Sequence, residues 1–162
     1  MKHIANEYVP AILNGLTGIG VILISFLMKL RLPVPIGTAK WIGIAIVYIG
    51  IVLVVWAAVH IKAAIRGMVN PVLNQLVKDG PYKFIHHPVY LGTTIALVGV
   101  ALSLRSWPGL LCALFLFLPS ELHRARLEEK ALAEKFGEEW GNYVKTPALL
   151  PLCLLLSSLY QL

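Results

Sequence analysis

The sequence predicts an all-helical integral membrane protein with about four transmembrane helices and an amphipathic helix at the cytosolic face. Three observations carry this: 58% of the 162 residues are apolar, the mean hydropathy is +0.77, and the charged residues leave uncharged stretches at 8–28, 41–61, 84–104, 106–120 and 146–162. A water-soluble domain of this size carries more charge. The glycines at 15, 18 and 20 lack the order of a nucleotide-binding loop and lie within a span, and no other segment has a Rossmann or P-loop fingerprint. No Rossmann domain is expected.

Taken in order, the first three stretches are 21 residues each, so as helices they reach about 31 Å, the thickness of a bilayer's hydrocarbon core. The first is too long for the apolar part of a secretory signal and lacks a small-x-small cleavage site, so it is expected to stay. Pro33, Pro35 and Gly37 link it to the second stretch as a helical hairpin, with Trp41 at an interface. Gly43 and Gly50 lie two turns apart on one helical face, as do Gly92 and Gly99 with Ala96 between, which allows helices to approach closely in lipid. The fourth stretch, 15 residues, reaches only about 22 Å; it spans only by continuing into the charged segment beyond it or by packing obliquely. The fifth contains Pro147 and Pro151 and is expected at the interface.

The formal net charge of +6 fits membrane topology and anionic lipid rather than nucleic acid. With four spans and the N-terminus inside, ten Lys and Arg fall on the cytosolic side and four (Lys29, Arg31, Lys40 and Arg105) on the other. Cys112 and Cys153 lack metal-ligand or redox spacing and are expected as lipid-facing or core side chains. The oligomeric state is not legible.

Polarity gathers at 62–90 and 121–145, and the apolar hairpin between them, turning at 104–109, returns both to one membrane face. Six of the eight acidic residues (Glu121, Glu128, Glu129, Glu134, Glu138 and Glu139) lie in the second segment. A solvated amphipathic helix explains such a run. Helical spacing puts Leu122, Ala125, Glu129, Leu132 and Phe136 on one stripe, with Arg124 and Glu128 one turn apart beside it. Arg124 stands five residues after Pro119, where an apolar helix leaves the bilayer, and charges held so close to lipid have partners or a task. In the first segment, Asp79, Gly80 and Pro81 signal a turn, and Pro88 suits the first turn of a helix. His86 and His87 point about 100° apart on a regular helix, so without a third ligand they make no metal site. His60 and His123 are candidates by composition only.

The run LVKDGPYKFIHHPVYLG (76–92), followed after the hairpin by RARLEEKALAEKFGEEWGNY (124–143) and a proline, resembles the isoprenylcysteine carboxyl methyltransferase and phospholipid methyltransferase group of membrane enzymes. The resemblance covers about residues 76–151. It implies a small helical enzyme using S-adenosylmethionine, held between the two motifs near the cytosolic face. Carried across, it makes Asn74, Gln75, Leu76, Val77, Tyr82, His87, Pro88, Val89, Tyr90 and Glu128 cofactor-binding, Arg124 a substrate-side arginine, and Arg124 and Glu128 the catalytic pair. His86 occupies the arginine position of the family's Arg-His-Pro, a substrate-side place where it supplies charge only when protonated. Trp140 replaces the tyrosine of the family's FGEEY run. The chain then divides into an N-terminal transmembrane hairpin, 1–61, and a catalytic membrane domain, 62–162.

Methyl transfer from a sulfonium needs alignment and exclusion of water more than a metal or a covalent nucleophile. A carboxylate acceptor, isoprenylcysteine-like, is the first expectation, and Arg124's planar fork suits its orientation. A phospholipid amine or a thiol is the alternative, and a protonated amine asks Glu128 or Glu129 to act as base. An NADPH-dependent sterol or enone reductase, sharing a His-Pro-x-Tyr segment, ranks behind, and a non-enzymatic scaffold last. The partners implied are a lipophilic or lipidated substrate and membrane lipids.

Overall fold

The computed structural model describes residues 2–61 and 76–145, with side chains from residue 9 onward. Asn74, Gln75, Cys153 and the expected interfacial tail at 146–162 lie outside the described residues. Helix α1 runs Lys2–Leu27 and α2 Ile36–His60; Pro33 and Pro35 break the helix between them, and Pro35 caps α2, its carbonyl accepting from Ala39 N–H at 3.0 Å. A 3-10 turn, Gly80–Lys83, precedes α3, Pro88–Ser103. Helix α4, Trp107–Cys112, is capped by Ser106, whose side chain accepts from Gly109 N–H. A π-helical turn, Ala113–Phe117, leads into α5, Leu118–Phe136, and α6, Glu138–Val144, follows. Among the described residues the extended pairing is a single bridge between Arg31 and Ser106, so the fold is all-helical as predicted.

Two helical stretches are long and apolar enough to cross a membrane, Val9–Leu27 and Ile36–His60. Their outer faces expose Leu16, Ile19, Tyr48 and Ile49, among others, each more than half accessible, an apolar surface suited to lipid. Helix α3 is shorter than the uncharged stretch that predicted it. Pro88 sets its start and residues 84–87 belong to the preceding turn, leaving 16 residues, about 24 Å.

The glycine faces read from the sequence meet one another. A Cβ on Gly50 would stand 2.5 Å from Gly92 O, one on Gly99 2.7 Å from Val47 N, and one on Gly43 would run into the Ser103 backbone. Helices α2 and α3 therefore touch backbone to backbone, antiparallel, with no room for a side chain between them. Helix α1 packs on the other side: Val21 joins Cys112, Ala113 and Phe117 in a buried cluster, with Ile24, Leu97 and Val98 against it.

The short fourth stretch does continue into the charged segment, because the chain stays helical from Trp107 to Phe136. Leu118 N–H reaches back five residues to Ala113 O. This wider turn lies just before Pro119, which has no N–H to give and whose ring crowds the preceding turn of a regular helix. At the end of the molecule away from the charged part of α5, Arg31 donates to Ser25 O at 3.2 Å and Leu104 O at 2.7 Å, and Arg105 to Leu32 O at 2.7 Å. These two arginines, which the sequence offers only as topology signals, bond to carbonyls at the ends of α1 and α3 through Arg31 and in the link between α1 and α2 through Arg105.

Candidate active site

The first motif is shaped by backbone geometry. Gly80 has φ +61°, a conformation that favours glycine, and a Cβ there would lie 2.5 Å from His60 Nε2, so the ring would have to move. The His60 ring, whose Nδ1 donates to Trp56 O at 2.9 Å, thus supports the turn from the last turn of α2. Tyr143 on α6 fastens the turn from the other side, its hydroxyl donating to Tyr82 O at 2.6 Å. Trp140, in the family's tyrosine position, is buried with its ring 5.5 Å from Tyr143. At the exposed margin Lys78 pairs with Glu139 at 2.7 Å. The two polar segments therefore share one end of the helical hairpin.

Between α3 and α5 the polar side chains form a ladder. His87 Nε2 lies 2.9 Å from Glu129 Oε1 and its Nδ1 3.9 Å from Glu128 Oε2. One turn further along α3, the Tyr90 hydroxyl donates to Glu128 Oε2 at 2.6 Å, and the His87 and Tyr90 rings stack at 5.5 Å. Thr93 forms the next rung, donating to Glu121 Oε1 at 3.2 Å. The α3 members fall at 87, 90 and 93, three apart and hence on one face.

Arg124 is placed over the Tyr90 ring, Cζ 5.3 Å from its centroid. It forms no ion pair with Glu121 or Glu128 among those described; instead its buried Nε has no hydrogen-bond partner. A buried guanidinium donor without a partner suits an anionic or carbonyl group that comes from outside the protein.

The charges follow from these surroundings. Burial pulls the His87 imidazole down, but the Glu129 hydrogen bond and the Glu128, Glu129 and Glu121 carboxylates outweigh it and hold His87 above the usual histidine value. His86 goes the other way, lowered by burial and by neighbouring His87 against the pull of Glu129. Its ring packs 4.9 Å from Tyr143. His86 is thus an aromatic contact of Tyr143, and its lowered value disfavours the charge that the sequence made conditional on protonation. Burial, then the Glu128 carboxylate and Tyr143, push the Tyr82 phenol up, so it stays protonated.

Of the site residues expected from sequence, Tyr82, His86, His87, Tyr90, Arg124 and Glu128 come together here. Pro88 is buried at the start of α3, Val89 is half-buried beside it, and Leu76 and Val77 are half-buried in the segment before the turn. The sequence reading missed Asn14, Thr93 and Ser120, and treated Glu121 as one more solvated charge. Glu121 is 5% exposed, and Asn14 Nδ2 donates to its Oε2 at 3.1 Å. The available signal was Asn14 itself, an amide within an uncharged and mostly apolar stretch. Among the described residues no group of three or more His, Cys, Asp or Glu is placed to hold a metal.

The phospholipid methyltransferase family pattern matches residues 38–139, a range that contains every rung of the α3–α5 ladder. The chain is similar to phosphatidylethanolamine N-methyltransferase B of Dictyostelium discoideum, 38% identical over 86 residues, which cover 49% of this chain and 42% of that protein. The match thus spans less than half the length of that relative. No solved structure matches the chain.

Proposed function

The chain belongs to the phospholipid methyltransferase family, and from that premise we propose that it transfers a methyl group from S-adenosylmethionine to the amine headgroup of a phospholipid at the cytosolic face of a membrane. The sequence reading put an isoprenylcysteine-like carboxylate first and a phospholipid amine second; the family and the Dictyostelium relative support the second, and neither supports a reductase. The observation that carries the proposal is the pair Glu128 and Glu129, held by Tyr90 and His87 where α3 begins. Two carboxylates held side by side where α3 begins draw in cations, and a protonated amine is one.

S-Adenosylmethionine fits the donor set. A carboxylate has about four lone-pair sites, so Glu128 retains acceptor capacity beyond its bond from Tyr90 for a hydroxyl or ammonium of the cofactor. Arg124 Nε is a donor in want of an acceptor. When bound, the cofactor supplies an activated methyl on a sulfonium. The protein's own part is to bind, to align and to keep water out, with Tyr82, His87 and Tyr90 on one side and α5 on the other. A headgroup amine must shed a proton before its lone pair is available, and Glu128 or Glu129 receives it. Arg124 orients the acceptor through its anionic part.

The test is transfer of labelled methyl by the purified chain in vesicles of phosphatidylethanolamine, beside phosphatidylcholine vesicles supplied with a farnesylated cysteine. Label in the ethanolamine lipid is the expected outcome. Label only in the prenylcysteine would overturn the acceptor, and saturable binding of NADPH without binding of S-adenosylhomocysteine would overturn the reaction class.

A further inference from the structure

Helix α1 lies before residue 38, where the family match begins, and the sequence presents it as an anchor. The structure gives it a polar contact with the site. Asn14 is 5% exposed and Glu121 is 5% exposed. Asn14 Nδ2 donates to Glu121 Oε2 at 3.1 Å, Thr93 donates to Glu121 Oε1 at 3.2 Å, and the Ser120 hydroxyl donates to Asn14 Oδ1. Three helices therefore meet on one carboxylate: α1 through Asn14, α3 through Thr93, and α5, which carries Glu121 itself.

A carboxylate set among apolar helices is costly unless its oxygens have donors. Neither donor to Glu121 is a cation, so no strong ion pair compensates for its burial. The value of the arrangement lies in direction. Glu121 stands one turn before Arg124 and two turns before Glu128 on α5, and Thr93 stands one turn after Tyr90 on α3. Holding Glu121 against Thr93 fixes both the rotation and the axial position of α5 relative to α3, and so sets Glu128 opposite Tyr90 and Arg124 over the Tyr90 ring.

We propose that Asn14 is a positioning residue: from α1 it locks Glu121 and thereby holds the α3–α5 ladder in the geometry the transfer requires. The inference rests on the methyltransferase reading for its functional consequence, but the locking itself is a separate physical statement.

The hydrogen-bond polarity offers a specific test. Asn14→Asp sets a carboxylate against a carboxylate, and Glu121→Gln sets an amide donor against an amide donor. Combined, they restore every partner: the amide introduced on α5 donates to the carboxylate introduced on α1, Ser120 still donates to that carboxylate, and Thr93 still donates to the side-chain oxygen on α5. Two readouts are taken in vesicles: the distance distribution between spin labels at Leu91 and Leu127, and turnover per folded molecule on phosphatidylethanolamine. Each single variant should broaden the distribution and lower turnover by roughly tenfold or more, since misplacement of about an ångström costs on the order of a hundredfold. The double variant should regain a narrow distribution and most of the turnover. A merely stabilising contact would lower the melting temperature and leave turnover per folded molecule intact. That outcome, or a double variant no better than the worse single one, would overturn the proposal. If the parent chain methylates no lipid, the functional reading fails by itself, and the spin-label distances alone decide whether Asn14 sets the ladder.

Discussion

Tyr90→Phe isolates one hydrogen bond of the site. The ring remains, and with it the stack on His87 at 5.5 Å and the place beneath Arg124 at 5.3 Å; what goes is the hydroxyl that donates to Glu128 Oε2 at 2.6 Å. A hydrogen bond to a charged group contributes about 1.5–3 kcal/mol net. The Glu128 side chain is 30% exposed, so water replaces part of the lost donor and the lower end applies. If Tyr90 holds Glu128 ready for the cofactor, up to about 1.4 kcal/mol passes into affinity, which is tenfold. Titration calorimetry with S-adenosylhomocysteine should therefore find binding weakened roughly three- to tenfold, and Glu128→Ala should weaken it further, by roughly 1–3 kcal/mol. Unchanged affinity in folded Tyr90→Phe beside a marked loss in Glu128→Ala would show that Tyr90 does not orient the carboxylate. Unchanged affinity in both would remove Glu128 from the cofactor site.

Gly50→Ala should destabilise the fold by about 1–3 kcal/mol, as overpacking does, because its Cβ meets Gly92 O and Ala96 N at 2.5 and 2.6 Å and backbone cannot yield as a side chain can. Gly15→Ala, with nothing within 4 Å, should leave the melting temperature level or slightly raised; equal losses in the two would contradict the close contact of α2 and α3. For pH, a histidine held above 6.5 by its carboxylate partners contributes stability that is complete below the unfolded value and is lost as pH rises through the folded one. The melting-temperature gap between the parent chain and Glu129→Gln should therefore be widest on the acid side of that window and close toward alkaline pH, and a gap that widens with pH would reverse the assignment.

What the sequence made legible followed from local rules. The uncharged stretches gave α1 and α2, the paired glycines gave the face on which α2 meets α3, and Pro88 gave the start of α3. Two motifs in order identified Tyr82, His87, Tyr90, Arg124 and Glu128 as belonging together. The contacts among them were not legible, since His87 meeting Glu129, or Arg124 resting over Tyr90, depends on how two helices rotate against each other. Glu121 misled because a run of glutamates on an amphipathic helix reads as solvated, and the contacts from α1 and α3 show that this one faces inward. His86 was ambiguous for a similar reason: the motif position suggested a charge when protonated, while burial and then neighbouring His87 disfavour that form.

The π-helical turn at Ala113–Phe117 governs phase. A regular helix advances about 100° per residue, and a turn closed over five residues absorbs one residue without passing that rotation on. Had the same residues between Trp107 and Phe136 wound as an unbroken α-helix, everything beyond Leu118 would be turned by about one such step, and Glu121, Arg124 and Glu128 would aim away from α3. The angular bearing of the carboxylates is thus set by where the irregular turn falls rather than by how many residues separate them from the start of α4. A residue gained or lost at 113–117 has a place where the helix can take up the slack, whereas the same change between Glu121 and Glu128 has none and would split the ladder into two halves facing different ways.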